Sequence, residues 1–146
     1  MARRLNVKLN RKVAMTVTRV SISGNKLVYV IQAQKKLRYP WGHSRVAYIG
    51  TTKNGMRRFA HSAAVKAGDV LNLHGIREME VRIITCGSRQ GVRGWSKLER
   101  ALLLTFRERY GEIPRCNKMG KNMRWTDEDA YFSRRRISKI LDSLAD

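Results

Sequence analysis

Two short β-branched runs, each carrying one tyrosine, set the first constraint on the fold: Leu27-Val28-Tyr29-Val30-Ile31 and Val46-Ala47-Tyr48-Ile49-Gly50. Runs of this length and composition read as strands and not as buried helices. Gly24-Asn25 marks a turn before the first. Gln34 to Ser44, between the two, is basic, aromatic and contains Pro40, which reads as a loop or a long hairpin connection. Further upstream Val13, Met15 and Val17 alternate with polar residues, and Val20 and Ile22 resume after a slip at Arg19, a bulged strand or two short ones.

Helical spacing follows. Met56, Phe59, Ala60, Ala63, Ala64 and Ala67 repeat at the interval of one buried face, with Gly68 as a C-terminal stop. Arg57, Arg58 and His61 then cluster on the polar side, within reach of one another at three- and four-residue spacing. Glu78 to Thr85 reads as a third strand, and Cys86 to Gly94 as a basic loop with three glycines. A second helix is expected from near Ser96 to Tyr110, burying Leu98, Ala101, Leu102, Thr105 and Phe106, and stopping at Gly111. A third is expected from near Thr126, where Asp127, Glu128 and Asp129 suit the positive end of a helix dipole, with Ala130, Ile137, Ile140, Leu141 and Leu144 on its apolar face.

Charge narrows the partners. The 146 residues hold 31 Lys plus Arg against 11 Asp plus Glu, a net +20, and residues 1–73 contain a single carboxylate, Asp69, beside 15 cations. So large an excess of one sign repels itself and is relieved by a polyanion whose counterions are released on binding, so nucleic acid is the expected partner. No apolar run approaches the roughly 18 residues of a membrane span, and no apolar segment follows the basic start, so a cytoplasmic chain is expected. Cys86 and Cys116 lack metal-ligand spacing and read as a reduced pair. Any carboxylate that holds a hard cation lies after residue 68: Asp69, Glu78, Glu80, Glu99, Glu108, Glu112, or an acidic residue from Asp127 onward.

Read in order, the elements are strand, strand, helix, strand, helix, with a tyrosine in each of the first two strands. At this point the chain resembles the GIY-YIG nuclease superfamily over roughly residues 24–118. The second half of the signature stands as Tyr48-Ile49-Gly50-Thr51-Thr52, followed by Met56-Arg57-Arg58-Phe59-Ala60-His61, similar to the family's helix carrying its Arg and His. Lys97-Leu98-Glu99-Arg100-Ala101-Leu102-Leu103 resembles the metal-binding Glu segment, and Ile113-Pro114-Arg115-Cys116-Asn117 supplies a downstream Asn. Of the first motif only Tyr29 survives, and the gap from Tyr29 to Tyr48 is longer than the family's short hairpin.

The resemblance implies an α/β (α+β) domain with a small three-stranded antiparallel sheet flanked by helices. Residues 1–23 are then a basic N-terminal extension, 24–118 the catalytic domain and 119–146 a C-terminal helical extension. It implies a Mg²⁺- or Mn²⁺-dependent DNA endonuclease, most readily on double strands. Glu99 holds the cation, and Arg58, with Arg57 as substitute, donates to the phosphoryl oxygens as charge grows there. Tyr29 or Tyr48 serves as general base or orients the water, His61 assists proton transfer, and Asn117 fixes the site by side-chain hydrogen bonds. A tyrosine with a pKa of about 10 is a poor base at neutral pH, so that role requires cations to lower it.

Each residue also has a plainer reading. Ser96 and Glu99 have capping-box spacing, the tyrosines suit half-buried strand positions, and Arg57, Arg58 and His61 suit a solvated helix face. Lys35, Lys36, Arg38, Arg89 and Arg93 lie in stretches interleaved with Tyr39, Trp41 and Trp95; these either contact nucleic acid or form loops anchored by one aromatic. The alternative function is accordingly a catalytically silent basic protein that binds DNA or RNA.

Overall fold

The computed structural model describes residues 4–13, 27–52 and 55–146, with 55–60 as helix backbone only. It contains β1 (Leu27–Tyr39), β2 (Gly42–Thr52), α1 (Gly55–Leu71), β3 (Met79–Ile84), α2 (Gly94–Tyr110), a 3₁₀ turn (Glu128–Ala130) and α3 (Arg134–Ala145). The three strands form one open antiparallel sheet in the order β2-β1-β3, which with three helices makes an α+β fold. Residues 4–13 are exposed and without regular structure; of the strand expected over Val13–Ser23, residues 14–23 lie outside the described set. Among the described residues no helix is long and apolar enough to cross a membrane.

The central position of β1 follows from its composition. Every residue from Leu27 to Ala33 is buried, on both faces, as an apolar β-branched run requires when it is paired on both edges and covered on both sides. Beyond Gln34 the strand leaves β3 and continues only with β2. Residues 34–44, read from sequence as a loop or long connection, are therefore the far half of a continuous hairpin with Pro40 and Trp41 at its turn. The register slips twice on the way, and at the larger slip Arg45 Nε donates to the Ala33 carbonyl at 2.7 Å.

Helix α2 is the central helix. Residues 101–106 are all buried, so it packs on several sides and not along one stripe. It starts at Gly94 with no side-chain cap, two residues ahead of the sequence expectation, which leaves Glu99 in its second turn and excludes the Ser96–Glu99 capping box. Gly111, at φ +86°, ends it in the left-handed conformation and donates to the Arg107 carbonyl.

Helix α1 runs through Gly68 to Leu71 and buries Ala67 and Val70, while Ala64, expected inside, is exposed. The third helix begins eight residues later than expected, capped by Ser133. Asp127, Glu128 and Asp129 instead bond Lys97, Arg100 and Arg134, and Ala130 is exposed. Ile137, Leu141 and Leu144 of α3 belong to the same core as the strands.

Candidate active site

Register decides which side chains share a face of the sheet. Tyr29 lies opposite Gly50 and Ile83, and Ile31 opposite Tyr48 and Val81, so both tyrosines project from one face at diagonal positions. Their ring centroids are 5.7 Å apart at 42°. Gly50 permits this approach: a Cβ there would stand 2.5 Å from Tyr48 Cε1, 2.8 Å from its Oη and 3.0 Å from Tyr29 Cζ. The Tyr48 ring thus leans over a residue that has no side chain.

Helix α1 covers the pair. The Tyr29 hydroxyl is hydrogen-bonded to those of Tyr48 and Ser62. One turn on, the Lys66 ammonium lies 4.9 Å from the Tyr48 ring centroid and 3.6 Å from Asp69. Burial pushes both phenols up, and Tyr48 on Tyr29 and the Glu99 charge on both add to the rise. Among the described residues the surroundings raise both phenols; the side chains of Arg57 and Arg58, which the general-base role would need as the lowering cations, lie outside them. Both hydroxyls are neutral at pH 7 and act as hydrogen-bonding groups.

Glu99 reaches the same region from α2. Burial raises its carboxyl to about 7, with the neighbouring Arg100 pulling the other way. Nine of the eleven carboxylates lie within 4.0 Å of a Lys or Arg nitrogen; among the described residues the exceptions are the exposed Glu78 and the half-buried Glu99. A half-buried carboxylate with no ion-pair partner among the described residues, in a chain rich in cations, suits a metal ion. Among the described residues no three metal-ligating side chains cluster. Glu99 alone fits a Mg²⁺ that keeps most of its water, since that ion is commonly held by one or two carboxylates.

Asn117 secures the strand beneath Tyr48. Its Oδ1 accepts from Ile49 N at 3.0 Å and its Nδ2 donates to Ile49 O at 2.9 Å, while Cys116 N donates to Ala47 O at 2.8 Å. Residues 116 and 117 thus bracket Tyr48 along the outer edge of β2. Tyr39 Oη extends the lacing, donating to Val46 O at 2.7 Å and accepting from Arg115 N at 3.0 Å.

The structure thus brings Tyr29, Tyr48, Glu99 and Asn117 into one region. His61 is exposed on α1 beside Ser62; Arg57 and Arg58 stand on its first turns, their side chains outside the described set. Lys35, Lys36 and Arg38 are exposed along the hairpin beyond Ile31, Lys36 pairing with Asp146 at 2.5 Å. Arg89 and Arg93 are exposed on the turn between β3 and α2, which Arg89 and Val92 close as a bridge, and Arg89 lies 5.7 Å from the Tyr131 ring.

Sequence reasoning missed Ser62, Lys66 and the steric role of Gly50. The first two carried a usable signal, since positions 58, 62 and 66 form a four-residue row on one face of a helix. Both cysteines are free. No family model matches the sequence, and no curated protein and no solved structure does so either.

Proposed function

We propose that this chain is a metal-dependent DNA endonuclease of GIY-YIG type that hydrolyses phosphodiester bonds. The observation that carries the reading is Glu99: half-buried, unpaired among the described residues, raised toward neutrality and electrostatically coupled to two tyrosines on the neighbouring strands. The net +20 supports a polyanionic substrate. The motif order Tyr48-Ile49-Gly50, Arg58, His61, Glu99, Asn117 supports the family.

In this reading Glu99 holds Mg²⁺ or Mn²⁺, which when bound supplies Lewis-acid charge at the scissile phosphate. Tyr48, fixed by the Tyr29 hydroxyl, orients the attacking water by hydrogen bonding. Arg58 is preferred over Arg57 because it shares the row of Ser62 and Lys66, both of which reach the tyrosine pair; its task is to donate to the phosphoryl oxygens. Attack forms one P–O bond and breaks another; the proton the water loses goes to bulk solvent, and His61, exposed on the same helix, assists proton transfer to the departing oxygen. Asn117 acts as a positioning residue through Ile49.

The test is cleavage of supercoiled plasmid at low salt in Mg²⁺, Mn²⁺ or EDTA, with wild type and Glu99→Ala side by side. Metal-dependent nicking or linearisation that vanishes in the variant is the expected result. Uncut plasmid, duplex and single strand, together with tight mobility shifts, would overturn catalysis and leave a nucleic-acid-binding module.

A further inference from the structure

The hairpin beyond the tyrosine pair ends in an indole that rests on Gly111 and is otherwise little covered by the described residues. Trp41 is 70% exposed, the one aromatic among the exposed large apolar side chains of the described residues. The tip that carries it is nevertheless held firmly. Tyr39, 3% exposed, packs edge-on against Phe106 at 5.1 Å and beside Tyr110 at 5.8 Å, and Trp41 N donates to the Tyr110 carbonyl at 3.1 Å. Gly111 seats the turn: a Cβ there would lie 3.0 Å from Pro40 Cβ and 3.1 Å from Trp41 Cδ2. Of the two aromatics in this stretch, Tyr39 is the anchor and Trp41 is left over.

The surroundings of that indole are cationic. Arg38 is exposed along the stem, and Arg115, whose guanidinium lies 5.4 Å from the Tyr39 ring, donates to the Arg38 carbonyl. The neighbouring carboxylate is Glu112, 3.8 Å from Arg115. A preorganised flat apolar face beside two cations, Arg38 and Arg115, is complementary to a nucleobase with its phosphates, and stacking on it requires no further ordering of the tip.

Resting on the nuclease reading above, we infer that Trp41 stacks on an unpaired base, so that the preferred substrate is DNA with a duplex end, fork or other junction seated at the hairpin tip. Bases inside an intact duplex present no free face, whereas a junction presents one. The fold also sets the distance to the cut. Six residues of β2 separate Gly42 from Tyr48, about 20 Å at roughly 3.3 Å per residue. Eleven residues of α2 separate Glu99 from Tyr110, which Trp41 touches, about 17 Å at roughly 1.5 Å per residue. Two independent elements thus give one separation, close to five or six nucleotide steps at about 3.4 Å.

The experiment uses a forked duplex with 2-aminopurine as the first unpaired base, and the matching uninterrupted duplex, with the full chain in EDTA. Wild type is expected to quench the probe and to bind the fork at least fivefold more tightly than the duplex. Trp41→Ala should abolish the quench and weaken fork binding about tenfold, with Trp41→Phe intermediate, as loss of one base–aromatic stack predicts. In Mg²⁺ the main cut should fall about five or six nucleotides from the junction. Equal binding of fork and duplex without quenching, while metal-dependent cleavage persists, overturns the inference and leaves the nuclease standing. Quenching and fork preference without any cleavage keep the stacking site and overturn the nuclease reading. Absence of both binding and cleavage overturns both and turns attention to a protein partner for the tip.

Discussion

Asn117 grips the backbone of Ile49 at both of its polar groups, accepting from the N–H at 3.0 Å and donating to the carbonyl at 2.9 Å. Tyr48 is the residue before Ile49, so its position depends on a clamp made to the next residue's backbone. Asn117→Ala removes two hydrogen bonds worth about 1 kcal/mol each, and about 2 kcal/mol of stability should be lost in urea unfolding. If the tyrosine works as proposed, kcat should fall about 10- to 100-fold with little change in KM, since small misplacements of this kind act on the reacting geometry. An unchanged kcat would remove Asn117 from the site.

Glu99 gives a pH dependence whose sign is fixed. Its carboxyl titrates at about 7 in the folded chain, above its ordinary 4.5, because burial favours the neutral form. The folded state holds the extra proton, so this contribution is fully present below about pH 4.5 and is lost as pH rises through about 7, by about 3 kcal/mol. Glu99→Gln should be more stable than wild type at pH 8 and lack this limb. Added Mg²⁺ should raise the Tm of wild type at pH 8 and leave that of the variant unchanged. Cleavage should increase through about pH 7 as the carboxylate forms.

Gly50→Ala tests the closeness of the two tyrosines. The added methyl would stand inside contact distance of both rings. Because Tyr48 is half-buried, its ring has solvent to move into. A modest stability loss of about 1–3 kcal/mol is expected, the usual range for an overpacked site. The near-ultraviolet tyrosine signal should change and cleavage should fall by more than tenfold; full activity would show that the pair has no part in the chemistry.

Glu128 titrates the opposite way. It is 1% exposed, and burial alone would raise it, but bonds from Arg100 Nε at 2.6 Å, Thr126 N at 2.8 Å and Thr126 Oγ1 at 3.0 Å hold it at about 2. Its contribution is present above about pH 4.5 and disappears as pH falls toward 2. Glu128→Gln should cost about 3 kcal/mol at pH 7, leaving Arg100 short of a partner, and should flatten the acid limb of a stability profile.

These residues also mark how far the sequence could be read. Strand β3 and the end of α2 were legible because apolar spacing and Gly111 report local rules, whereas the antiparallel sheet was expected from the resemblance alone. The hairpin from Gln34 to Ser44 was not, because its alternation is broken by two register slips that a pattern of period two does not anticipate. The start of α3 was misjudged for an electrostatic reason: its three acidic residues find guanidinium and ammonium partners and not a helix dipole, and two of those partners, Lys97 and Arg100, are distant in sequence. In the site, residue types and order were legible. What was not legible was burial, which sets the direction of Tyr29, Tyr48 and Glu99 alike.

The strand order β2-β1-β3 places the first strand in the middle. On a ribosome, β1 and β2 can zip together as a local hairpin, but one edge of the most apolar strand stays bare until residue 84 has emerged. Glu99 follows on α2 and the Asn117 clamp later still. Groups contributed by positions 29, 48, 99 and 117 therefore meet only after residue 117 has emerged, and contacts so far apart in sequence form slowly. A half-folded chain keeps its positive charge but lacks the assembled centre, so under the proposed function any cutting activity is confined to molecules that have finished folding.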